Sequence, residues 1–114
     1  MSWDIFVQDL PIDVRSLDDV PHDFVPASIG ARSEVIRKIK KVVPWADFSD
    51  ASWGIIDGEG FSIEVNLGLD EELRSFAFHV RGGDEAARVI SEILTSLNLR
   101  ALDASTGEIF ALRA

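Results

Sequence analysis

The 114-residue chain contains no cysteine. That absence excludes a disulfide framework, a thiolate metal site and a cysteine nucleophile, and it fits a reducing compartment, so a cytoplasmic location is expected. No apolar run approaches the roughly 20 residues of a membrane-spanning helix, so no membrane partner is expected. The opening MSWDIFVQDLP puts acids where a secretory signal needs bases. Catalytic motifs are missing as well: there is no G-x-x-x-x-G-K-[ST], no G-x-G-x-x-G and no G-x-S-x-G. The two histidines, His22 and His79, lie far apart and in neither H-x-H nor H-E-x-x-H spacing. No metal and no cofactor are therefore expected. Asp57-Gly58-Glu59-Gly60 is too short for a calcium loop and reads as a turn. Arg81-Gly82-Gly83-Asp84 also reads as a turn, because Asp84 occupies the place an anion would want.

What is present is acid, unevenly spread. The formal net charge is −9. Residues 29–43 carry five bases and one acid, whereas residues 44–73 carry eight acids and no base. A surface of this sign repels phosphate backbones, so no nucleic-acid partner is expected. It favours solubility, and it also suits a protein partner with a basic surface. Hydrophobic residues make up 46% and charged residues 27%, which points to one folded domain over residues 1–114 rather than disorder.

The stretch 53–83, WGIIDGEGFSIEVNLGLDEELRSFAFHVRGG, decides the architecture. Phe61, Ile63, Val65 and Leu67 alternate with Ser62, Glu64 and Asn66. Phe76, Phe78 and Val80 alternate with Ala77, His79 and Arg81. Period-2 alternation predicts antiparallel strands with one dry and one wet face. Strands are predicted over 53–57, 61–67 and 75–81, with a tight hairpin at 57–60 and a polar link at 68–74. An earlier strand over 4–10 ends at Pro11. It has Ile5 and Val7 inward, with Phe6 and Leu10 of opposite parity, which burial on both faces would also explain.

Residues 11–29 hold Pro11, Pro21 and Pro26 and predict an irregular loop draped on the core by Leu17, Val20, Phe24 and Val25. A short turn is predicted from Ser16. A helix is predicted over 30–43, with Val35, Ile36, Ile39, Val42 and Val43 in one stripe and Pro44 as its stop. Residues 45–51 predict a loop. A second helix over 84–97 is capped by Asp84, buries Ala86, Val89, Ile90, Ile93, Leu94 and Leu97, and ends at Asn98. A closing hairpin joins 99–103 to 108–112. The order β-α-β-β-β-α-β-β predicts an α+β two-layer sandwich, a mainly antiparallel sheet of five or six strands with both helices on one face.

The candidate functional residues lie on the wet face and in one loop. A register that respects the two faces sets Glu64 and Asn66 beside Ala77, His79 and Arg81. Such a face can hold a small polar ligand, form a homodimer seam or simply be solvated. Acid–base catalysis by Glu64 and His79 needs an enclosing pocket, and a flat sheet offers none, so no catalytic residue is assigned. Trp45 and Phe48 follow Pro44 beside the acidic stretch. They read either as a partner anchor or as core packing.

The segments WDIFVQDLP, VPASIG, VVPWADFSDASWG, DGEGFSIEVNLG, FHVRGG and LRALDASTGE span nearly the whole chain. Together they resemble a family of small bacterial proteins without an assigned activity. The resemblance implies a bacterial, cytoplasmic, stand-alone domain and carries no site residues with it. The residues themselves lead to a non-enzymatic binding protein, in one form an acidic inhibitor or immunity-type protein that caps a basic partner. The alternatives are a small-molecule binder or enzyme using Glu64, His79 and Arg81 under the 11–29 loop, and a structural homo-oligomer.

Overall fold

A computed structural model describes residues 3–11 and 13–110. The elements run β1 (Trp3–Gln8), β2 (Gly30–Ala31), α1 (Arg32–Val42), β3 (Asp47–Asp50), β4 (Trp53–Gly58), β5 (Phe61–Asn66), β6 (Glu72–Leu73), β7 (Ser75–Arg81), α2 (Asp84–Leu97), β8 (Arg100–Asp103) and β9 (Glu108–Ile109). Seven strands form one sheet in the order β3-β4-β5-β7-β1-β8-β9, and β2 pairs with β6 apart from it. Every pairing is antiparallel. The chain is therefore an α+β two-layer protein with both helices on one face of the sheet. Because β1 runs antiparallel to both β7 and β8, those two strands are parallel to each other. The crossover through α2 thus spans a strand laid down at the start of the chain.

Alternation sorts the sheet into its two faces. Ile5, Val7, Ile56, Ile63, Val65, Phe76, Phe78, Val80 and Ala101 are buried in one cluster, together with Val35 and Ile39 of α1 and Ala86, Ile90, Ile93 and Leu94 of α2. Ile36, Val42, Phe61, Val89 and Leu97 pack on its rim. Phe6 points the other way and is exposed. Leu10 and Val14 are buried outside the main cluster.

The sheet is larger than predicted. Residues 47–50, expected as loop, form an edge strand whose register shifts between Asp47 and Asp50. Their composition, Asp-Phe-Ser-Asp, hides the strand, since only Phe48 looks inward. The first helix starts at Arg32 rather than at residue 30, because Gly30 and Ala31 pair with Leu73 and Glu72. The first-strand ladder stops at Gln8. Gly83, not Asp84, is the N-cap of α2. At its far end Asn98 is left-handed (φ 55°), and the Asn98 and Leu99 amides donate to Thr95 and Leu94, the pattern of a Schellman close.

The 11–29 loop is draped as expected, but by different anchors. Leu17 and Val25 are exposed, and Val20 and Phe24 are half-buried. Arg100 instead donates to the carbonyls of Pro11 (2.7 Å) and Val14. The amides of Leu17 and Ile109 bond Gly107 and Arg15 across the β9 edge. Buried Val14 and these polar bonds to the backbone hold the loop down.

All three Asp-x-Ser triplets of the chain fold alike. Asp47, Asp50 and Asp103 each accept from the amide and hydroxyl of the serine two residues on, at 2.8–2.9 Å and 2.6 Å. Asp103 also accepts from Trp3 Nε1 at 2.8 Å, which ties the first strand to the last hairpin. Burial pushes the Asp103 carboxyl up, but the bonds from Ser105, Trp3 and Thr106 outweigh it and hold the group below the usual carboxylate value. A folded-state pKa that is depressed gives stability present above the ordinary value of about 4 and lost as pH falls through the lower one. Asp103→Asn keeps the shape and removes the charge. The wild-type protein is expected to melt higher than this variant at neutral pH, with the gap closing below about pH 4. Thermal midpoints of both proteins between neutral pH and pH 2 check this; a gap that ignores pH refutes it.

Candidate functional site

The outer face of the sheet reads as rows across strands. One row runs Asp4–His79–Glu64–Ile55 across β1, β7, β5 and β4. Next to it on one side runs Arg81–Ser62–Asp57, and on the other Phe6–Ala77–Asn66–Trp53. Side chains that alternate with the core residues are forced outward here, which is why polar groups distant in sequence meet.

A hollow of about 300 Å³ opens over the first two rows and reaches Trp53 of the third, lined by Asp4, Trp53, Ser62, Glu64, His79 and Arg81. His79 Nδ1 lies 2.8 Å from Asp4 Oδ1. A carboxylate only accepts, so against an ionised Asp4 the Nδ1 atom is the donor. The His79 ring stacks on the indole of Trp53, with centroids 5.7 Å apart and planes 20° from parallel. Ser62 Oγ donates to Asp57 Oδ1 at 2.9 Å. Among the described residues no donor reaches the Glu64 carboxylate and no acceptor reaches the Arg81 guanidinium. The described residues of the 11–29 segment supply none of the lining.

No protein-family model, no curated protein and no solved structure matches the chain.

Of the residues singled out in the sequence, Glu64, His79 and Arg81 come together in this hollow. Asn66 opens instead onto a neighbouring depression of about 350 Å³ with Phe6, Gln8 and Ala77. The Trp45–Phe48 pair is split. Trp45 is 59% exposed and donates from Nε1 to the carbonyl of Asp57 at 3.0 Å, covering a β4 acceptor beyond the end of β3. Phe48 turns inward and packs against the core. A Cβ at residue 54 would stand 2.3 Å from Phe48 Cε1, so Gly54 is what admits the ring. Asp4 and Trp53 were not foreseen as site residues. Their signal was parity: each falls on the wet side once the registers of β1 and β4 are set.

Among the described residues no helix is long and apolar enough to cross a membrane. None of their His, Asp and Glu side chains gather in threes as metal ligands do.

Proposed function

We propose that the chain is a non-enzymatic binding protein that presents the open face of its sheet to a protein partner with a basic surface. The observation that carries this reading is that the open face is the part of the sheet left for recognition. One face lies under α1 and α2. The β3 edge is irregular and acidic, with Asp47 and Asp50 on it and Trp45 across its end. Residues 15–17 lie along the β9 edge, where Ser16 bridges Glu108. Blunted edges discourage strand addition, which leaves side chains on the outer face to do the work. Those include Asp4, Asp57 and Glu64, flanked by the exposed apolar groups Phe6 and Ile55. Mixed apolar and acidic surface is what a basic partner needs for both contact area and steering.

Affinity capture from the native host at low and moderate salt tests the reading, followed by kinetics with the purified partner. The association rate is expected to fall at least about tenfold between 20 and 300 mM salt, as for steered encounters. Capture of no partner, or of one whose association ignores salt, would count against it. A second reading, a small zwitterionic ligand in the hollow, is favoured by Glu64 and Arg81 both lacking a partner among the described residues. It makes the opposite demand on Arg81.

A further inference from the structure

The hollow is selective about what could fill it. Resting on the reading of the open face as a partner surface, we propose that it receives an arginine side chain of that partner, with the guanidinium paired to Glu64. Glu64 is half-buried in mid-row, between His79 and Ile55. With no protein donor among the described residues, both of its oxygens remain for the two parallel N–H bonds of a guanidinium fork. Trp53 and His79, stacked on each other with planes 20° from parallel, both line the hollow, and against aromatic rings a planar cation packs better than a tetrahedral ammonium.

Charge agrees. Asp4 and Glu64 line the hollow against one guanidinium, Arg81, and Ser62 ties Asp57 to its margin. Arg81 itself is exposed, at the end of β7, and sits at the rim. Its charge opposes a cationic guest, so its removal helps one. A zwitterion would instead use Arg81 as the seat of its carboxylate. The two guests therefore predict opposite signs for the same substitution.

The experiment uses the purified protein and N-acetyl-arginine amide, followed by the Trp53 indole and His79 ring signals in NMR. Comparison probes are the citrulline amide, which has the same shape without the charge, and the lysine amide. The expected dissociation constant is a few millimolar, about what one charge-assisted fork and a ring contact provide. Glu64→Gln is expected to weaken binding at least about fivefold, and Arg81→Gln to tighten it about two- to threefold. Circular dichroism confirms that both variants fold. The proposal is overturned by equal binding of the citrulline amide, by unchanged affinity in E64Q, by weaker binding in R81Q, or by no binding at about 50 mM, where a site of this strength would be more than nine-tenths filled. None of these outcomes depends on capturing a host partner. The hollow can therefore fail while the partner surface stands, or the reverse.

Discussion

Replacing Phe78 by Ala is expected to lower the free energy of unfolding by about 3–5 kcal/mol, a large share of the about 5–15 kcal/mol that holds a domain together. Phe78 is fully buried at the centre of β7. Its neighbours in register are Ile5 on β1 and Val65 on β5, both at 0% exposure, and it meets the Phe76 ring edge-on at 5.3 Å. Strands on both sides and the helices above leave the surroundings little freedom to collapse into the space the ring vacates. The loss should therefore include a cavity term as well as the transfer term. Phe6→Ala removes the same ring from the outer face, where it is 43% exposed, and is expected to cost less than about 1.5 kcal/mol. Urea unfolding of the two variants beside the wild-type protein measures both. Comparable losses would mean that the two faces of the sheet are not dry and wet in the sense described here.

That contrast was legible in the sequence because alternation is a strong local signal wherever one face is buried. That Glu64 and Asn66 share the wet face with Ala77, His79 and Arg81 followed from parity; the register that sets Glu64 opposite His79, Asn66 opposite Ala77 and Ser62 opposite Arg81 came only with the structure. In the first strand parity allowed burial on both faces, and the structure buries Ile5 and Val7 and exposes Phe6. What stayed hidden has a common cause: it depends on partners remote in the chain. β3 is a strand only because β4 lies beside it. Gly30 and Ala31 leave the helix only because Leu73 and Glu72 pair with them. Trp53 and Asp4 join the hollow only once β4, β5, β7 and β1 are laid side by side, and no local pattern fixes that order. The 11–29 loop shows the same limit. Its expected apolar anchors Leu17 and Val25 point to solvent, while an arginine 89 and 86 residues away from Pro11 and Val14 holds its backbone.

The Arg81-Gly82-Gly83-Asp84 segment was read as a turn, and the structure gives the turn a strict requirement. Gly82 has φ +132°, a region that side chains rarely adopt. A Cβ there would stand 2.5 Å from Phe61 Cβ, 3.1 Å from Phe61 Cα and 3.3 Å from the Gly60 carbonyl oxygen. Two of these three atoms are backbone, and the third is the first atom of a side chain, so no distant rotamer can move aside. Gly82→Ala thus adds dihedral strain of about 1–3 kcal/mol to an overlap that only a shift of the β4–β5 hairpin can relieve. A total loss of about 3 kcal/mol or more is expected. Gly83 is the internal control. It lies next in the chain, its φ is −125°, and a Cβ there meets nothing within 4 Å. Gly83→Ala meets no overlap and is expected to cost at least about 1 kcal/mol less than Gly82→Ala. Chemical denaturation of the two variants separates them. A loss at residue 82 no larger than that at residue 83 would show that the close approach of the β4–β5 hairpin does not constrain this turn.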